Sequence, residues 1–520
     1  MRGLILSKIE ANYLEEESLV FGGMHEEKDP RLGLKYFGPF HYSTESSSIE
    51  KTRLGMVGNK SANEKAKKIV DLISDQVESD DRNKWLYPPF PGMSKDTKFH
   101  CSIELSENWK ETILEDEINR LLEISEPNER IGAAVELYYN KIENILTYED
   151  NPPDVVLCMI PRDIEEFCGI SEKTRGAKTP KPTPLEKQIQ AFKEQNQSFL
   201  SRWGVSVEEE KPKFKGYDFR NALKGKIMDL QSPVPIQLLR ESTCDTILNY
   251  EKGKMGTRQD PASFAWNLST ALYYKANGKP WRLAKLRQDT CYVGISFYYD
   301  KLSFNKDIQT SMAQVFTHNG EGLVLRGTEV YIDEKTKESH LSQNQAEDLL
   351  KDVIHTYIKK AGRTPSRVVI HKSTMFSKAE ENGFKSAIEA TNKNAKKDFV
   401  AISKRNNGIR FMRMGSYPVL RGTLISLSES EHILYTSGYT PRIRTYPGHS
   451  IPQPLLIHHK GDSEIEEICK EILGLTKLNW NTTAFATYLP ITLAFSKRVG
   501  EVLSERPKGK PLQNHYRFYM

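Results

Sequence analysis

Apolar positions along the chain change period several times, and each change marks an element. MVGNKSANEKAKKIVDLISDQV begins as an apolar strand end and passes into an amphipathic repeat, predicting a helix over about 61–77. Helical periodicity recurs over 111–124 and 128–147. DVVLCMIP (154–161) is a continuous apolar run behind the turn NPPD, the pattern of a buried strand. Helical patterns follow at 186–202 and 218–229. The strand–helix alternation from 154 to 283 predicts a small α/β layer fold.

From Cys291 the period shortens to two. CYVGISFYYD and SMAQVFTH…GLVLRG predict antiparallel strands, joined partly by the turn HNGEG. Ser342 is placed to cap the helix QNQAEDLLKDVIHTYIKKA, and Gly362 to stop it. RVVIH predicts a buried strand and 377–390 a helix. Strands are expected at 398–404, 408–413, 418–427 and 432–436, then helices at 463–474 and 490–504. TRGAKTPKPTPLEKQ (174–188), with three prolines and many charges, predicts an exposed loop.

A length of 520 residues accommodates two to four domains at roughly 100–200 residues each. No apolar run approaches the ~18–20 residues that span a bilayer. The N-terminus is too acidic, and its apolar stretch too short, for a secretion signal, so a cytoplasmic location is expected. The six cysteines are scattered with no C-x-x-C pair; reduced, mostly buried thiols are expected and no zinc site.

Charge is uneven. Lys173 to Arg287 holds 22 Lys and Arg against 11 Asp and Glu, although the whole chain carries only +5. Such concentration favours a polyanion partner, with a solvated basic face as the plain alternative. Within this stretch Arg220 and Lys224 are four apart and share a helix face. Asn267 and Lys275 are eight apart, about two turns, and share another. Gln237 follows a Pro-rich turn. Two helix faces and a turn can present Arg220, Lys224, Gln237 and Lys275 to one phosphate.

In order and spacing, Arg220, Lys224, Gln237, Asn267 and Lys275 resemble the guide 5′-phosphate pocket of the MID domain of Argonaute proteins. CYVGISFYYD resembles the first strand of a PIWI domain, VVIH (368–371) a later one, and HYRFYM its aromatic end. DPRLGLKYFGPF, TRLGMVGNK and PIQLLREST resemble short prokaryotic Argonautes. The resemblance implies an α/β fold: a lead-in over 1–150, a Rossmann-like MID domain over 151–284 and an RNase H-like PIWI domain over 285–520. About 150 residues precede MID, too few for a PAZ domain as well. It further implies Mg²⁺ shared by the guide phosphate, Gln237 and the terminal carboxylate of Met520.

Active PIWI domains carry metal-binding carboxylates just after the V-G-I-like run, just after the VVIH-like strand, and a third ligand near the chain end. Here those places hold Ser296, Ser373 (after Lys372) and Phe518. A hydroxyl and a phenyl ring cannot hold the two cations such cleavage needs ~3.5–4 Å apart. His371 and His515 are weak candidate ligands. The expectation is an inactive PIWI domain.

The resemblance, through FPGM, PIQLLREST and YYKANGKPW, points most closely to chains paired with TIR–APAZ proteins. It implies a guide RNA, a target single-stranded DNA and an APAZ partner that degrades NAD in prokaryotic defence, with a higher oligomer of the heterodimer allowed on activation. A sirtuin-like or nuclease APAZ effector is the alternative partner. A guided nuclease with an unrecognised site and a guide-free basic scaffold are the alternative classes.

Overall fold

The computed structural model describes residues 10–40, 49–79, 83–168, 217–251, 260–287, 289–299, 309–316, 322–332, 338–404, 410–416, 418–448, 450–507, 509–510 and 512–520. The loop expected at 174–188, the helix at 186–202 and most of the HNGEG turn lie outside them.

Two sheets carry the fold. The first is a four-stranded parallel layer in the order Ser102–Thr112, Lys51–Gly58, Val155–Ile160, Ile236–Arg240. Its strands are covered on both faces, so their side chains divide between two cores. Val57, Val156, Cys158 and Ile160 face a core shared with helices Glu115–Leu122, Pro127–Tyr148 and Phe219–Ile227. Leu54, Met56, Val155, Leu157 and Met159 face helices Lys60–Ser74 and Pro261–Lys275. Asn59 caps the first of these, accepting from Ala62 N at 2.9 Å. Two of the four strands come from the first 150 residues. The layer therefore straddles the division expected at residue 150.

The second is a nine-stranded mixed sheet. Its order runs from Ala11–Tyr13 through Thr423–Ser426, Glu431–Leu434, Leu455–Gly461, Lys396–Ser403, Arg367–Lys372, Thr290–Tyr299 and Gln309–Phe316 to Gly322–Glu329. Thr290–Tyr299, Arg367–Lys372 and Lys396–Ser403 run parallel, and the outer pairs are antiparallel. Alternation along Thr290–Tyr299 assigns the faces. Cys291, Val293 and Ile295 pack toward helices Gln343–Ala361 and Lys378–Thr391. Tyr292 packs into the opposite core with Ile468, Ile472 and Val499. Gly294 lets helix Ile491–Leu503 approach: a Cβ there would lie 2.1 Å from Thr492 O.

The helix over 343–361 begins and ends as its sequence predicts. Ser342 and Gln345 form a capping box, and Gly362 closes it in the left-handed region at φ +68°. Two expectations fail and one strand was not expected. The helical pattern at 111–124 resolves into the end of strand Ser102–Thr112 and a helix starting only at Glu115. The described residues of 408–413 form no strand. Leu455–Gly461 is a strand that its half-polar sequence, LLIHHKG, does not announce. Tertiary pairing with Lys396–Ser403 and Glu431–Leu434 decides it. All six cysteines are buried and unpaired. Among the described residues no helix is long and apolar enough to cross a membrane.

Candidate nucleic-acid interface

Lys224 lies on helix Phe219–Ile227, whose Asp218 cap accepts from Asn221 N at 3.0 Å. Its side chain points inward, 5% exposed, and Nζ donates to Tyr519 O at 3.4 Å. Lys275 is the last residue of helix Pro261–Lys275 and is 1% exposed. Its Nζ donates to Ile236 O at 2.9 Å and to Gln237 Oε1 at 2.6 Å. Gln237 in turn donates from Nε2 to Leu238 O at 3.0 Å. Arg220, one turn before Lys224, is exposed.

The electrostatics of this cluster are unusual. Burial pushes Lys224 well below the ordinary lysine value; Lys275, Arg220 and Arg498 push it further, and only Asp218 opposes them. Burial pushes Lys275 down to about 7, the nearby Cys158 opposes this, and Arg220 and Arg498 add to it. Neither lysine forms an ion pair among the described residues. Buried charges are ordinarily paired, because desolvation is expensive. Both lysine side chains are held by carbonyl and amide oxygens alone.

The cluster sits at the amino end of strand Ile236–Arg240. Doubly wound sheets usually bind ligands at the carboxyl ends, beside the switch point. Here that end carries the ion pairs of Lys65 with Glu241 and Asp245, both at 2.7 Å, and of Arg162 with Asp245 at 2.5 Å.

Four of the five expected residues thus gather at one place: Lys275 touches Gln237, Arg220 acts on both lysines through charge, and Lys275 acts on Lys224. Asn267 is a correction. Eight residues before Lys275, it stands ~12 Å up the helix at 1.5 Å per residue. Its Oδ1 accepts from Thr483 N at 2.8 Å and from Thr483 Oγ1 at 3.0 Å. The shared helix face was real, but the face is longer than the pocket. Asn267 instead lines a cavity of about 350 Å³ with Arg31 and Arg421. The chain end meets the cluster through Tyr519 O, and Met520 is buried. Arg498, on helix Ile491–Leu503, escaped the sequence reading because it lies more than 200 residues from the basic stretch.

At the sites expected for cleavage ligands, Ser296 is buried with no hydrogen-bond partner for Oγ. Ser373 is exposed and follows Lys372, which registers with Ile295. Phe518 is buried. The Lys372 ammonium is fully buried and pairs with Glu380 at 2.7 and 2.8 Å. His371 is held neutral, its pKa lowered to about 3 by burial and by Arg367, and it hydrogen-bonds Thr492 Oγ1 at 2.8 Å. It is thus a packed histidine. Among the described residues no group of three His, Cys, Asp or Glu could hold a metal ion.

No protein-family model matches the chain. It is 28% identical over 155 residues to Protein argonaute of Thermus thermophilus, a match covering 29% of this chain and 21% of that protein. Solved structures align over nearly all of it. Clostridium butyricum Argonaute, bound to a guide DNA and a 19-mer target DNA, aligns with a TM-score of 0.62 at 16% identity, covering 96% of this chain and 54% of that one. A. aeolicus Argonaute gives 0.53 at 15% identity, covering 96% and 53%. Drosophila Piwi gives 0.55 at 12% identity, covering 98% and 56%.

The chain has an Argonaute-like fold, with sheets and helices consistent with a MID–PIWI architecture. It spans about half the length of the solved structures it matches.

Proposed function

We propose that the chain anchors a guide strand by its 5′-phosphate and uses the guide to bind a complementary single strand. The carrying observation is the pair Lys224 and Lys275, both buried and neither ion-paired among the described residues. A phosphate placed between them supplies the missing counter-charge, and charge-assisted hydrogen bonds to phosphate are the strong class. Arg220 and Arg498 extend the positive field to the pocket mouth. Base pairing then reads the sequence, and the protein need only hold the backbone.

Mg²⁺ fits this pocket only with the phosphate in place. The chain's own oxygens at the cluster are Tyr519 O, Ile236 O and Gln237 Oε1, all already accepting from the two lysines, and the Met520 carboxylate follows one residue after Tyr519. The Met520 carboxylate and Gln237 would hold a Mg²⁺ together with the phosphate, and the ion would offset the repulsion between carboxylate and phosphate. Every other contact to the phosphate comes from Lys224, Lys275, Arg220 and Arg498.

In the same reading the PIWI domain does not cut, because Ser296, Ser373 and Phe518 stand where carboxylates or a third ligand are needed. Recognition must then be passed to another protein. The sequence resemblance supports an APAZ partner with a TIR effector that depletes NAD when an RNA guide finds invading DNA. Co-purified nucleic acid tests the first half. A narrow length class with uniform 5′-phosphate ends is expected; random fragments of host RNA and DNA contradict it. Co-expression with a TIR–APAZ protein tests the second: NAD loss should require both the partner and a matched target.

A further inference from the structure

Neither lysine lines an open depression of about 360 Å³ whose lining includes Tyr13, Glu16, Lys28, Trp85, Arg442 and Arg444. Trp85 is 40% exposed, whereas Trp109, Trp266, Trp281 and Trp480 are buried. Two guanidinium groups lie over its ring, Arg442 at 5.5 Å and Arg444 at 4.7 Å from the centroid.

The two arginines are held differently. Arg442 is fixed by a two-point ion pair with Glu27, at 2.8 and 2.7 Å. Glu16 is also committed, to Arg421 at 2.6 Å. Arg444 forms no ion pair among the described residues. Its backbone is left-handed at φ +53°, a region that residues other than glycine seldom occupy. The 3₁₀ turn Pro441–Ile443 and the bridge between Thr440 and Thr445 impose it, with Thr440 N to Thr445 O at 2.9 Å. A strained backbone thus presents an uncommitted guanidinium beside an exposed indole. Thr440 also lines the neighbouring cavity that holds Arg31 and Arg421, so the two depressions adjoin.

We propose that this depression takes one nucleotide of a single-stranded nucleic acid, the base stacked on Trp85 and the phosphate on Arg444. Aromatic rings flanked by basic side chains bind single strands with little regard to sequence, since every base has a π-face. Guanidinium planes stack on rings and also match phosphate geometry. The one acid that lines the depression, Glu16, is paired with Arg421, and Glu27 beside it is paired with Arg442, so Lys28 and Arg444 leave the net field there positive. This rests on the guide-binding reading and adds to it a second contact, away from the 5′ end.

Binding of 5′-phosphorylated and 5′-hydroxyl single strands of 4 and 20 nucleotides to the full chain tests it. Trp85→Ala should weaken the 20-mers about 5- to 100-fold, leave the 4-mers unchanged, and keep the preference for 5′-phosphate. Trp85→Phe should recover most of the loss. Arg444→Gly relieves the left-handed strain, so its melting temperature should hold or rise while 20-mer affinity falls. Equal weakening of 4-mers and 20-mers together with a lower melting temperature would make Trp85 a structural residue and overturn the proposal. Unchanged 20-mer affinity in Trp85→Ala would overturn it too, and would leave this face to a protein partner. A wild-type chain that ignores the 5′-phosphate contradicts the guide pocket alone and is read independently.

Discussion

Lys275 Nζ donates to Gln237 Oε1 at 2.6 Å, so the end of one helix is tied to the start of a strand by a buried ammonium. A neutral side chain could make that tie at lower desolvation cost. In the proposed reading, a guide phosphate bound beside it accounts for the charge.

The first prediction concerns pH. Burial, aided by Arg220 and Arg498, depresses Lys275 from 10.5 to about 7. Between those values the unfolded chain carries a proton that the folded chain has lost, so stability contributed by this group rises with pH across the window. It is lost again as pH falls through about 7. A bound phosphate favours the proton, raises the folded-state pKa and weakens the trend. Melting temperatures from pH 6 to 9 should therefore rise in the guide-free chain, rise less with a 5′-phosphorylated guide, and lose this component in Lys275→Met. Identical profiles for the wild type and Lys275→Met would contradict the assignment.

The second prediction concerns cleavage. The purified, guide-loaded chain should cut no matched target with Mg²⁺ or Mn²⁺, given Ser296, Ser373 and Phe518 at the ligand places. Cutting opposite the guide, abolished by a point mutation in this chain, is the opposing result.

A third prediction concerns the frame of the nine-stranded sheet. Arg367 is fully buried, with Nε 2.9 Å from Asp398 and its two terminal nitrogens 2.5 and 3.0 Å from Glu471. Burial pushes Asp398 up, but hydrogen bonds from His459, Ser463 and Arg367 outweigh it and hold the carboxylate ionised. Arg367→Met removes the one cation shared by the buried Asp398 and the partly buried Glu471 and should cost ~3–5 kcal/mol in chemical denaturation. A loss below ~1 kcal/mol would mean that the network is dispensable.

Much of this was legible from periodicity. The helix over 343–361 declared both ends through Ser342 and Gly362, because capping is local chemistry. The grouping of Arg220 with Lys224 was legible from helical spacing, which puts the two one turn apart on helix Phe219–Ile227. Spacing alone could not say where along a helix the pocket stops, and so Asn267 was included although it bonds Thr483. Arg498 and the Tyr519 carbonyl were hidden because folding, rather than sequence distance, brings the last 30 residues onto the sheet built from 51–240. Leu455–Gly461 was hidden because its neighbours in the sheet, rather than its own residues, make it a strand.

The most direct test of the central claim is the affinity of 5′-phosphorylated against 5′-hydroxyl guides for the double variant Lys224→Met and Lys275→Met. Losing a charge-assisted bond costs ~1.5–3 kcal/mol, and neighbouring contacts share energy. The phosphorylated guide should weaken roughly tenfold to several hundredfold, and the hydroxyl guide hardly at all. Removing two buried charges should also leave the guide-free chain at least as stable as the wild type. Lys211→Ala with Lys213→Ala, in the same basic stretch but outside the described residues, removes equal charge and should weaken both guides alike. If the two double variants lose the same factor on both guides, the lysine pair is no phosphate pocket and only a basic surface remains.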